Sequence, residues 1–222
     1  MTEPQIHEYT VPLSPNPDQV RALDALSALT HRIECAVLRQ AQLGLTTSLS
    51  ALLGGPDHAE RSDEAEIRAL LRLPAMAAVP SGLVRQAVTG RRARMTRGDL
   101  AAPARPTPVS GDGLILPATP DGLTLAGVPG IVTVGTDKLP PWAAQVWRHA
   151  AGGAKPDLDP RLVTASLTGW AYIERGSYAG TPGWLIDIAL DWDAYPTWQL
   201  LRDGGGLGDG PWQRSVRHLM GQ

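Results

Sequence analysis

Residues 81–105 carry the densest charge in the chain: Arg85, Arg91, Arg92, Arg94, Arg97 and Arg105 stand against Asp99 alone, a local +5. A guanidinium stays charged and donates two parallel hydrogen bonds, a geometry that fits phosphate oxygens. At helical spacing Arg91 lies beside Arg94, and Arg94 beside Arg97. Such a row grips a phosphodiester backbone if its charge is free. It equally suits a solvated helix C-terminus, ion pairs to the acids of residues 57–66, or an acidic protein partner. The flanks have the opposite sign, −4 over residues 1–80 and −3 over residues 106–222. That asymmetry makes Arg85, Arg91, Arg92, Arg94 and Arg97 the candidate nucleic-acid contacts. Tyr9, Trp170 and Tyr172 join them as rings that can stack on bases, with core packing as their other use.

Other constellations carry less chemistry. Asp187, Asp191 and Asp193 alternate and would offer carboxylates to Mg²⁺, but no histidine or second acidic cluster lies nearby in sequence. A solvent-facing strand end is the simpler reading. His31 and Cys35 have the i,i+4 spacing that can share a metal, without further ligands; a buried thiol beside a half-exposed histidine accounts for them. The stretch "RDGGGLGDGPWQRSVRHLM" sets glycines before a helix but lacks the Lys-Ser/Thr of a phosphate loop. It reads as a tether to a docking helix that lines up Trp212, Val216 and Leu219, for packing on its own domain or for a protein partner. No nucleophile elbow, Ser/His/Asp set or paired general acid and base emerges. The expectation is a protein without catalytic residues, metal or cofactor.

Bulk properties set the frame. A chain of 222 residues has room for one large domain or two small ones. Its net charge of −2 argues against a generally basic nucleic-acid binder. Cys35 is the sole cysteine, which excludes an internal disulfide and fits a reducing cytoplasm. No apolar run reaches the roughly 18–20 residues of a membrane span. The opening "MTEPQIHEYT" lacks the basic and apolar regions of a secretory signal. A cytoplasmic protein with no membrane partner is expected.

The elements that must hold these residues follow from periodicity. Residues 6–13 alternate, with Tyr9, Val11 and Leu13 on one face, and Pro12 predicts an edge strand or a strand end. Asn16 as N-cap and Pro17 at the first helical position open a helix over 17–42, with apolar residues from Val20 to Val37 on one stripe. Further helices are predicted at 47–53, after Ser62, and at 81–95. Residues 98–113 read as a Pro/Gly/Ala connector. Strand-like runs then follow at 114–117, 122–126, 130–135, 161–175 and 183–193, with a helix opened by Pro140-Pro141 and a last one near 211–220. Either a helical domain precedes a β domain, or strand 6–13 belongs to the distant sheet and the helices are inserted. An isolated strand leaves backbone groups unpaired at about 1–3 kcal/mol each. The insertion is therefore the better expectation.

In that arrangement the chain resembles the N-terminal half of the TnpB-type transposon-encoded RNA-guided nucleases and the related type V CRISPR effectors. These open with a strand, a "P-x-P/T-x-x-Q" turn and a helix with an arginine near its middle. The matching positions are His7, Tyr9, Leu13, Pro15, Pro17, Gln19, Leu23, Arg32 and Leu38, with Gln19 one residue closer to Pro17 than that pattern sets it. "LPAMAAVPSGLVRQAVTGRRARM" is similar to the later helices of the recognition lobe. "GDGLILPATPDGLTLAGVPGIVTV" and "LVTASLTGWAYIERGSYAGTPGWLIDIAL" are similar to strands of the wedge barrel. The RuvC-like nuclease that would follow has no counterpart here: about 30 residues come after Asp193, without its carboxylate pattern or zinc-ribbon cysteines. The resemblance implies an α+β fold. A small antiparallel oligonucleotide-binding-like barrel would take its first strand from 1–14, a helical lobe from 15–97, a linker from 98–113 and its remaining strands from 114–200, before the tether and C-terminal helix at 201–222. It implies a nuclease-deficient RNA-binding scaffold of a phage or mobile-element setting that acts by occupancy. The alternative is a phage or bacterial interaction module without nucleic-acid binding, meeting a protein through the C-terminal helix or the acidic N-terminal helices.

Overall fold

The computed structural model describes residues 6–119, 121–140, 143–144, 147 and 167–191, except the side chains of residues 6–7, 117, 167–170 and 190–191. The predicted helix of 141–150 lies almost wholly outside these residues. So do the tether, Asp193, the Trp170 side chain and the terminal helix with Trp212, Val216 and Leu219.

The first strand, β1 (Ile6–Ser14), runs antiparallel to β7 (Thr181–Asp191) from Ile6↔Asp191 to Leu13↔Trp184. Against β5 (Ile131–Val134) it pairs only at Leu13↔Val134 and Ser14↔Thr133. β1 is thus an interior strand, and of the two outcomes predicted from Pro12 the edge position is not met while the strand end is, two residues on at Ser14. The proline is tolerated because the two ladders are offset. Its carbonyl accepts from Gly135 N at 2.9 Å on the β5 side, where pairing only begins, so the missing N–H faces the unpaired stretch of that side.

β1 is followed not by another strand but by helices. Asn16 caps α1 (Pro17–Gln42): its Oδ1 accepts from Asp18 N and Gln19 N at 3.0 Å, and Gln19 Oε1 accepts from Asn16 N at 2.9 Å. The Gln19 amide also donates to Pro129 O and Ile131 O, which ties the start of α1 to β5. After α1 come α2 (Leu49–Leu52), α3 (Asp63–Leu71) and α4 (Ser81–Thr96), with Ser62 capping α3 as its sequence predicts. The chain then enters β2 (Val109–Gly111), β3 (Ile115–Thr119), β4 (Gly122–Leu125) and β5, and later β6 (Leu167–Tyr178) and β7. β2 falls inside the stretch that composition reads as connector.

Two apolar cores result, and α1 belongs to both. Leu23 and Leu26 pack into the sheet core with Val11, Ile173, Ile186 and the fully buried Trp147. Ile33, Ala36 and Val37 pack with Ile67, Leu70, Val84 and Val88 in the helical core. Leu83 at the start of α4 also enters the sheet core, so two helices fix the lobe to the sheet.

Among the described residues the sheet has seven antiparallel strands in the order β2-β6-β7-β1-β5-β4-β3. Laid flat at ~4.8 Å per strand, its edges would stand about 29 Å apart. Yet β2 and β3 are joined by residues 112–114 alone, a link of at most ~14 Å. The sheet must curl until its edges nearly meet. It does not close, however, and this corrects the barrel expected from sequence. β2 is three residues long, and the first turn of α4 is wedged against the backbone beyond it. A Cβ on Gly82 would lie 2.1 Å from Asp112 O, and one on Gly111 would lie 2.7 Å from Gly82 O. A closing ladder has neither length nor room there.

Candidate nucleic-acid interface

The arginine row of α4 is present, and most of its charge is used internally. Arg91, a candidate contact that would need an exposed face, is only 2% exposed. It lies 3.6 Å from Asp99 and donates to Ala101 O, which folds the connector back over the helix. Arg92 pairs with Asp63 and donates to Gln40 Oε1 at 2.7 Å. Arg94 reaches Glu34 on α1 at 2.7 Å, and Arg85 reaches Glu64 at 3.0 Å. Pairing to the acids of residues 57–66, one of the alternatives left open by sequence, is thus present for Arg85 and Arg92. Arg97 is exposed at the C-cap of α4, with no partner among the described residues.

The aromatic candidates separate. Register places Tyr9 opposite Ile188, on the face that packs on the sheet core, while Tyr172 lies opposite Asp187 on the other face. These two rings do not form one stacking platform. Tyr172 instead meets the arginines: with Arg91, Arg94, Glu34, Asp99 and Ser110 it lines a cleft of ≈ 350 Å³ between lobe and sheet. Burial pushes the Tyr172 phenol up from its ordinary pKa, helped by the Glu174 carboxylate, to which the hydroxyl donates at 3.4 Å. Two cations face two carboxylates in this cleft, so it holds no excess charge for an anion. Asp187 accepts from Thr10 Oγ1. Among the described residues no cluster of three metal-ligating side chains occurs, and no helix is long and apolar enough to cross a membrane.

A second cleft, ≈ 460 Å³, lies in the lobe beside Ser50, Asp57, His58, Glu60, Arg68 and Arg72. Here too the acids balance the arginines. Hydrogen bonds from the Ser48 hydroxyl and N–H hold the Asp57 carboxyl at a pKa of about 2, against an ordinary 3.8. The depressed folded value means that Asp57 supports folding above pH 3.8 and loses that contribution as the pH falls toward 2. Asp57→Asn is expected to make the acid-side fall in melting temperature shallower across that interval, read by circular dichroism at stepped pH.

The third cleft, ≈ 360 Å³, has a different balance: Arg32 and Arg105 line it with His31, Ser27, Thr107 and a single carboxylate, Asp24. The chain matches no protein-family model and no curated protein. Geometry alone therefore ranks the clefts, and it favours this one for an anionic ligand. Neither Arg32 nor Arg105 is among the contacts singled out from sequence. The signal is tertiary: Arg92 and Arg32 both lack an acid three or four residues away in helix, yet folding gives only Arg92 a carboxylate.

Proposed function

We propose that the chain is a non-catalytic nucleic-acid-binding scaffold, with RNA as its ligand, that acts by occupying its target. The observation that carries this reading is the topology. The opening strand lies inside a sheet whose other strands all follow residue 108, and the helical lobe is looped out between them. That is the arrangement implied by the resemblance to a wedge and recognition lobe. The test is an electrophoretic shift with a mixed RNA pool at 50 and 200 mM salt. Binding that weakens steeply with salt is expected, because phosphate contacts release counterions. Arg97→Gln should weaken binding to all sequences, whereas Arg91→Met, which alters a guanidinium buried in the fold, should leave it within about twofold once folding is checked. Absence of any shift at low salt overturns the reading.

One observation favours the runner-up, a protein-interaction module: all four arginines within α4 already lie within 3.6 Å of a carboxylate, and only Arg97 at its C-cap does not. A pull-down that survives nuclease treatment and needs no RNA would establish it.

A further inference from the structure

We infer that the cleft formed by Arg32 and Arg105 is a discrete seat for a phosphate group, going beyond the RNA reading and not dependent on it. The site is preorganised from the inside. Arg105 Nε donates to His31 Nε2 at 2.9 Å, so the ring proton sits on Nδ1, which faces Thr107 Oγ1 at 3.0 Å. Thr107 Oγ1 donates onward to Ala104 O at 2.7 Å, and Thr107 O accepts from Ser27 Oγ. Thr107 and Ser27 are both 4% exposed, so this relay is anchored in the protein interior.

The consequence falls on the guanidinium. With Nε engaged, the guanidinium is held in place, and its two terminal nitrogens have no acceptor among the described residues. Arg32 lines the same cleft, exposed and likewise without a partner there. Asp24 does not cancel them, because Arg175 holds both of its oxygens, at 2.7 and 3.0 Å. Arg175 is itself fixed over the Trp184 ring at 4.9 Å. Two arginines against one already neutralised carboxylate leave a net positive site, unlike either of the other clefts. An oriented fork beside a second cation matches a tetrahedral oxyanion with several acceptor oxygens.

The phosphate can come from free phosphate or from a phosphodiester, and the experiment separates them. The full chain is titrated with inorganic phosphate at constant ionic strength by calorimetry, then with a short oligoribonucleotide. Wild type, Arg105→Gln and Arg32→Gln are compared, the last being a surface change that leaves folding intact. Saturable phosphate binding is expected, weakened about tenfold or more by each variant, as loss of a charged hydrogen bond predicts. If phosphate displaces the oligonucleotide and Arg105→Gln weakens both, the seat reads a phosphodiester. If the variants weaken only phosphate, it serves the free anion. A chain that takes phosphate in this way but shifts no RNA keeps the seat and loses the scaffold reading. Non-saturable binding, or binding unchanged in both variants, overturns the proposal.

Discussion

Glu66→Leu is expected to lower the melting temperature by roughly 6–20 °C, from a loss of about 3–5 kcal/mol in a chain of this size. Glu66 is fully buried in the helical lobe. Its Oε1 accepts from Gln40 Nε2 at 2.6 Å, and its Oε2 accepts from Leu49 N at 2.8 Å. Gln40 in turn donates to Thr47 O and accepts from Arg92. One carboxylate from α3 therefore joins α1, the start of α2 and α4. His58 Nε2 lies 3.3 Å from Oε2 without the alignment of a hydrogen bond. Leucine would fill the space and strand several buried donors at once, which is costlier than the apolar gain. Glu66→Gln should lose less, since one oxygen remains to accept. Urea unfolding measures both, and a Glu66→Leu midpoint within error of wild type would show that the network does not hold the lobe together.

Gly82→Ala is expected to cost about 1–3 kcal/mol, against the helix-propensity gain of up to ~1 kcal/mol that alanine normally brings. The sign is set by what the new methyl meets. Asp112 O is a backbone atom in a short turn between two paired strands, and it cannot swing away as a side chain would. The first turn of α4 must then lift from the end of β2. Gly111→Ala strikes the same contact from the other side, so the two changes together should cost less than their sum. Differential scanning calorimetry of the single and double variants checks this, and simple additivity would refute a shared contact.

The sequence made some of this architecture legible. The bounds of α1 follow from Asn16, Pro17 and the stripe to Val37, and they agree with Pro17–Gln42. Pairing of β1 with the far sheet follows by elimination, since no other strand candidate precedes residue 100. What escaped depends on approaches between distant segments. β2 is too short and too close to proline to show alternation. Whether the curled sheet closes turns on two glycines meeting across the molecule, which no local pattern reveals. The arginine row was visible as charge, but the carboxylates of Glu34, Asp63 and Glu64 that use it lie tens of residues upstream. The same blindness hid Arg105, whose orientation depends on a histidine 74 positions away.

The pairing of β1 with residues 184–191 also sets a timetable for biosynthesis. At ~5–20 residues per second, a strand that leaves the ribosome early waits roughly 10–35 s for its partner. Helices form in microseconds, so α1 to α4 assemble while β1 is still single. During that interval Tyr9, Val11 and Leu13 present an apolar, unpaired edge to solvent or to a chaperone. Leu23 and Leu26, on the next element to emerge, are the nearest shelter, and among the described elements the β6–β7 hairpin is the last to arrive and capture the waiting strand.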